Sequence, residues 1–166
     1  GAPMRIHREA LGRSQRLLLP RLAPLARQHG FYLAGGTALA LQLGHRRSVD
    51  FDWFREDPID DPLRLAASLR AANLRFETDR VEKGTLHGRA SGVRVSFLEY
   101  GYPLLRPLRE VEGLRLASLE DIAAMKLAAV AQRGSKKDFV DVFALGRHLE
   151  LGDMLASYRK KYGVKD

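Results

Sequence analysis

The stretch VDFDWF, Val49 to Phe54, places two carboxylates one residue apart in an aromatic run. On a β-strand, residues i and i+2 point to the same face, so Asp50 and Asp52 are expected to converge on one spot. Two such groups repel, and one would keep its proton unless a cation sits between them. A magnesium ion meets that need, because it is held by one or two carboxylates and completes its shell with water and substrate phosphate oxygens. The competing reading is a pair of strand-end acids facing solvent. Phe51, Trp53 and Phe54 weigh against it, since aromatic side chains seldom crowd a fully exposed edge.

Upstream stands Gly35-Gly36-Thr37, its glycine pair separated from Asp50 by the residues Thr37 to Val49. Glycines let a backbone approach a phosphate closely, and a following helix adds free N–H groups and a positive dipole end. A Gly-Gly turn alone is ordinary punctuation. It gains meaning from the acids that come after it.

A third candidate is Lys126. At 100° per residue, Leu119, Ile122, Ala123 and Val130 form an apolar stripe with Lys126 in its middle and Arg133 close by, while Glu120, Asp121 and Gln132 fall outside it. A lysine on an inward face either snorkels to water or meets an anion, here a triphosphate or a carboxylate. On the next helix, Phe139, Val142, Phe143 and Leu149 read as the buried stripe. Asp138 and Asp141 share one flank of it, able to hold Lys126 or Arg133 or to pair at the surface with Lys137. The five histidines, His7, His29, His45, His87 and His148, have no metal-ligand spacing and read as structural or surface groups.

The elements that must position these groups follow from local signals. Leucines at helical spacing between Arg5 and His29 predict a helix kinked or broken at Pro20 and Pro24. Phe31 to Leu33 reads as a strand, Thr37 to Leu43 as a helix capped by Thr37, and Val49 to Phe54 as a second strand. Asp61-Pro62 opens a helix to about Ala72. Strands are expected over Leu74–Val81, Thr85–Ala90 and Val93–Tyr100, then a proline-bearing connection from Gly101 to Gly113. Ser118 and Asp121 suggest a capping box for a helix to Gln132, with further helices over Lys136–Leu149 and after Gly152. The class is α+β: a mixed sheet flanked by helices, with a C-terminal helical segment.

A chain of 166 residues suits one domain, expected over residues 4–166, with the sheet in about 30–100 and the helical part in about 117–162. Gly1-Ala2-Pro3 ahead of Met4 reads as a leader foreign to the fold. The absence of cysteine excludes disulfides, zinc–thiolate sites and thiol nucleophiles. With neither a signal peptide nor an apolar run of membrane length, the simplest location is the cytoplasm, with no membrane partner. A net charge of +8 favours polyanions such as nucleotides, RNA or DNA, although the basic residues are scattered rather than massed.

Gly35-Gly36 followed by Asp50-Phe51-Asp52 resembles the signature of the polymerase-beta-type nucleotidyltransferase superfamily. The closer form HRRSVDFDWF, and later LEDIAAMKLAAVAQRGSKKDFVDVFAL, is similar to the AbiEii/AbiGii toxin family. The resemblance runs from about Phe31 to Leu149. It implies a nucleotidyltransferase fold that moves a nucleoside monophosphate from an NTP to an acceptor hydroxyl and releases pyrophosphate. Gly35, Gly36 and Thr37 would then hold triphosphate oxygens, Asp50 and Asp52 would bind Mg²⁺, and Lys126 would be catalytic or nucleotide-binding. Arg46 and Ser48 would orient the strand or touch the nucleotide, and Asp141 would orient Lys126 or supply a further carboxylate. The superfamily often carries a third acid on a neighbouring strand. Here that position is Ser96, and Glu99 has the opposite strand parity.

The same resemblance points to the 3′ end of tRNA as acceptor, to a translation-blocking toxin, and to a cognate antitoxin as partner. Trp53, Tyr100 and Tyr102 are the candidates for stacking on single-stranded RNA. A protein hydroxyl as acceptor, or a non-catalytic RNA-binding module of this fold, are the alternatives.

Overall fold

In the computed structural model the apolar alternation at the second strand is what anchors the sheet: Phe51 and Trp53 point into the core, and Asp52 and Phe54 point to the other face. The structure describes residues 5–164; Gly1, Ala2, Pro3, Met4, Lys165 and Asp166 lie outside them. The elements are α1 (Arg13–Gln28), β1 (Tyr32–Ala34), α2 (Gly35–Leu43), β2 (Phe51–Arg55), α3 (Pro62–Ala71), β3 (Phe76–Glu82), β4 (Thr85–Ala90), β5 (Val93–Glu99), β6 (Arg109–Val111), β7 (Leu114–Leu116), α4 (Leu119–Gln132), α5 (Lys136–Leu145) and α6 (Leu151–Tyr162). The strands form one mixed sheet in the order β3-β4-β5-β2-β1-β7-β6. The α+β class is as expected.

Several local expectations change. Helix α1 runs unbroken through both prolines. Pro20 and Pro24 are four apart on its exposed face, so the carbonyls that lose their N–H partners face water. The sheet does not end near residue 100: β6 and β7 form a hairpin across Glu112-Gly113, both at positive φ, and β7 pairs in parallel with β1 through Leu33 and Leu116. These three-residue strands are too short for alternation to register. Helix α2 begins at Gly35, so the glycine pair is its first turn and Thr37 is not its cap.

The largest correction concerns α5. Phe139 and Phe143 are 56% and 70% exposed, and the inward residues are Asp138, Asp141, Ala144 and Leu145. The charged flank of this helix, not its aromatic stripe, faces the protein. A similar reversal holds for Asp121, which is fully buried rather than outside the stripe of α4. Its carboxylate accepts hydrogen bonds from Lys161 Nζ (2.6 Å), Leu105 N (2.9 Å) and Ser118 Oγ (2.9 Å). Lys161 also donates to the Pro103 carbonyl at 3.1 Å. Helix α6, α4 and the connection before β6 are thereby tied at one buried ion pair.

Removing one partner of such a pair leaves an uncompensated buried charge, at a cost of roughly 3–5 kcal/mol. Lys161→Ala is therefore expected to lower the urea midpoint strongly and to loosen α6. A midpoint within error of the wild type would contradict that role.

Candidate active site

Asp52 lies on β2 between β1 and β5, paired in register with Ala34 and Ser96. Asp50 sits just ahead of the strand, its side chain 38% exposed, with Arg94 Nε 3.7 Å from its carboxylate. Burial and then the neighbouring Asp50 raise the Asp52 carboxyl to about 6, although Lys126, Arg133 and Arg94 pull the other way. Burial leads and the second acid adds to it, in the direction expected where two carboxylates approach. Gly35, at φ +70°, starts α2 directly above: a Cβ there would lie 3.0 Å from Asp52 Oδ2. The first turn of α2 therefore presents bare backbone next to the acids.

Facing them is a buried cluster of charge. Asp141 has no exposed surface and accepts from Arg46 Nε (2.7 Å) and Nη2 (3.0 Å), from His45 Nε2 (2.6 Å) and from Lys126 Nζ (2.8 Å). Burial alone would push its carboxyl up, but the hydrogen bonds from Arg46, His45 and Lys126 hold it far below the ordinary range. Asp138 accepts from Arg133 Nε (2.8 Å) and Nη2 (3.0 Å), and Lys126 Nζ lies 3.4 Å away. Its carboxyl is held low chiefly by the Arg133 bonds, against burial and with help from Ser135, whose side chain caps α5.

Lys126 thus meets carboxylates rather than snorkelling. Three permanent cations (Arg46, Lys126 and Arg133) share the two carboxylates of Asp138 and Asp141. The surplus positive charge faces Asp50 and Asp52, where a polyphosphate would be welcome.

Thr37 and Ser48 are both buried and their hydroxyls hydrogen-bond each other, with Thr37 donating to the Asp50 carbonyl. A hydroxyl has one proton, so Ser48 must donate to Thr37. This pair pins the backbone of Asp50 to α2. Gly36 is required by a different contact, since a Cβ there would collide with the Arg46 guanidinium, which its hydrogen bonds hold on Asp141. Gly36→Ala is expected to break that clamp and cost about 1–3 kcal/mol. An unchanged unfolding midpoint would show that the guanidinium moves freely.

Two clefts meet at Asp52. One, of about 610 Å³, runs past Lys126 to an aromatic end formed by Tyr100, Tyr102, Tyr158 and Tyr162. The other, of about 600 Å³, runs over β3–β5 between Arg80, Arg94 and Arg133. A smaller recess links Gly36, Thr37, Arg46 and Ser48 to Asp50, Asp52 and Lys126. Every residue singled out at the GG, DxD, Lys126 and Asp141 motifs is therefore in or directly behind one connected space. Trp53 is not: it is buried in the core and offers no stacking face.

Sequence reasoning missed the part taken by His45, Tyr158 and Tyr162, whereas Arg133 does pair with Asp138, one of the two acids offered to it. It also read His87 only as a structural or surface group, whereas His87 Nδ1 lies 2.8 Å from Ser96 Oγ at the cleft. Ser96 does occupy the place beside Asp52 where a third acid was sought. Glu99 does face the other way, accepting from the Ile59 N–H at 3.1 Å.

No cluster of three or more His, Asp or Glu residues suited to a metal exists among the described residues. Two carboxylates suffice for magnesium, which retains water and borrows phosphate oxygens, so the donor set fits that ion better than zinc or calcium. No helix among the described residues is long and apolar enough to cross a membrane.

Residues 16–108 match the family described as "Nucleotidyl transferase AbiEii toxin, Type IV TA system". The chain is 40% identical over 158 residues to the uncharacterised protein aq_aa25 of Aquifex aeolicus (strain VF5), covering 92% of this chain and 76% of that protein. Among solved structures, the antibiotic-resistance factor ANT(2″)-Ia superposes with a TM-score of 0.64 at 15% identity, covering 90% of this chain and 94% of that one. JHP933 from Helicobacter pylori gives 0.59 at 18% identity, covering 92% and 80%. The polyadenylate synthase of Megavirus gives 0.59 at 14% identity; 80% of this chain matches, spanning 31% of that one. At these identities the structural likenesses establish the fold.

Proposed function

The chain belongs to the AbiEii family of nucleotidyl transferase toxins, and from that premise we propose that it transfers a nucleoside monophosphate from an NTP to the 3′ end of tRNA, so blocking translation. The observation that carries the reading is the opposition of Asp50 and Asp52 to Lys126 and Arg133 around the first turn of α2, where two clefts meet. Such a site has room for a donor nucleotide in one cleft and an acceptor strand in the other.

In this reading the backbone of Gly35 and Gly36 binds triphosphate oxygens through the free N–H groups of α2. Asp50 and Asp52 hold Mg²⁺, which would supply charge neutralisation for the phosphates when bound. Lys126 stabilises charge that grows on the leaving pyrophosphate, a positioned-cation role, and Asp141 holds it in place as a positioning residue. Arg46 and Ser48 act through that scaffold, Arg46 on Asp141 and Ser48 on Thr37. Arg133, whose side chain is 65% exposed while its Nε and Nη2 stay on Asp138, offers its remaining Nη1 to the substrate. The tyrosines at the far end of the first cleft suit a nucleobase, since every base offers a face for stacking.

The acceptor side supports an RNA. Arg80, Arg94 and Arg133 line the second cleft, and phosphate neutralisation is the main term in nucleic-acid affinity. A cognate antitoxin and a cytoplasmic setting complete the proposal. The similarly folded ANT(2″)-Ia has a crystal structure in complex with adenylyl-2″-tobramycin.

The test is to incubate the protein with Mg²⁺, each labelled NTP in turn, and a mixture of total RNA and cell extract. Label in the tRNA band, lost in EDTA, is the expected result. Label confined to protein would transfer the reading to protein nucleotidylation, and no label under any condition would favour a binding module.

A further inference from the structure

The residues common to both clefts are Asp52, His87, Ser96 and Arg133. They mark where a donor in one cleft and an acceptor in the other must touch. His87, Ser96 and Asp52 are consecutive cross-strand partners on β4, β5 and β2, so the three side chains line one face of the sheet as neighbours. Of the four, Asp52 is committed to the metal in the proposed reaction, Arg133 is a permanent cation and a serine hydroxyl is a poor base. Only the imidazole can take up a proton near neutral pH.

Resting on the transferase reading above, we propose that His87 is the general base of the reaction: its Nε2 accepts the proton of the attacking acceptor hydroxyl, and Ser96 fixes the ring. The atoms balance. The acceptor O–H proton passes to Nε2 as the acceptor oxygen bonds to the α-phosphorus. The bond from that phosphorus to the bridging oxygen breaks, and pyrophosphate leaves with the electron pair. His87 then returns its proton to water.

The serine hydroxyl, able to donate or to accept, accommodates the tautomer this requires. Nδ1 lies 2.8 Å from Ser96 Oγ; a proton on Nδ1, donated to Ser96, leaves the Nε2 lone pair free at the opposite end of the ring. The surroundings favour the neutral form of the ring. Burial comes first in disfavouring the imidazolium, then Arg80 on the adjacent strand β3, with Arg94 on β5 acting in the same sense and Glu82 on β3 opposing them. Arg133, Asp50 and Asp79 are the remaining charged groups around the cleft, with Asp52 on the same face two strands away. Such an arrangement suits a base rather than an acid.

Chemical rescue tests this, using labelled NTP, Mg²⁺ and tRNA with wild type, His87→Ala and Ser96→Ala. His87→Ala is expected to lower kcat by about 10²–10⁴-fold with little change in KM for the NTP. Added imidazoles should restore part of the rate, the more basic ones restoring more. Ser96→Ala, a change to the positioning residue, should lower kcat less and gain nothing from imidazole. A His87→Ala rate within threefold of wild type, or a loss that imidazole does not restore, overturns the assignment. Wild-type protein that labels nothing sinks the transferase reading and this assignment together, whereas wild-type labelling with an undiminished variant sinks this assignment alone.

Discussion

Asp52→Asn should cut label transfer on the order of 10³-fold and yet raise the stability of the metal-free protein. The two effects have one cause. Asp52 sits against Asp50 in a partly buried site, and its carboxyl is raised from 3.8 to about 6. A raised acid binds its proton more tightly in the folded state, so folding is disfavoured wherever the group must ionise. Above pH 6 the folded protein carries the whole penalty, about 2–3 kcal/mol at one pKa unit per 1.36 kcal/mol. Below about pH 4 both states are protonated and the penalty is gone. Asparagine is neutral throughout, so its advantage in a urea melt with EDTA should be present at pH 7.5 and shrink as the pH falls through 6 toward 4. Added Mg²⁺ should stabilise the wild type at pH 7.5 and leave the variant unmoved. A variant that melts below the wild type at pH 7.5 in EDTA would show that the two acids are not in conflict.

The opposite sign is expected across the site. Asp141→Asn should destabilise the protein by roughly 3–5 kcal/mol and abolish transfer with it. The fully buried carboxylate holds Arg46, His45 and Lys126 at once. Its neutral replacement leaves two permanent cations sharing an amide, one of whose ends is itself a donor. Here the folded carboxyl is held far below 3.8. The stability it contributes is therefore complete above the ordinary carboxylate range and lost as the pH falls below about 4. The gap between wild type and variant should be widest at neutral pH and narrow toward pH 3, as read by denaturant melts at each pH. A gap independent of pH down to 3 would mean that packing, not charge, is what the asparagine disturbs. Asp138→Asn makes a useful contrast, since it frees Arg133 and the cap of α5 while leaving the 2.8 Å contact of Lys126 with Asp141 intact.

These two expectations also show where reading along the chain succeeds. Strand parity brings Asp52 and Ser96 to one face and sends Glu99 to the other, because side chains on a pleated strand alternate with no help from distant residues. The caps at Asp61 and Ser118 are equally local: each side chain accepts from a backbone N–H three residues on. Lys126 in an apolar stripe announces an anionic partner, since a buried ammonium cannot stay unpaired.

Helix α5 marks the boundary of that method. Its periodicity offers two faces, one aromatic and one acidic, and hydrophobicity alone selects the aromatic one. The molecule buries the acids instead, because Arg46 and Lys126, 95 and 15 residues before Asp141, are waiting on other elements to neutralise them. Asp121 follows the same logic with Lys161, 40 residues away. His45, Tyr158 and Tyr162 reach the site only because α6 folds back upon α4 and the segment after α2 meets α5.

The order of residues along the chain is enough to identify the family, the α+β class, and the acids, glycines and lysine that an anion-handling site would need, since short-range spacing and parity specify which residue types share a face. The tertiary structure decided which face of α5 turns inward, what partners Lys126, and that His87 stands beside Ser96 where two clefts meet. Burial of a charge depends on the countercharge that packing delivers, and no local pattern encodes that delivery.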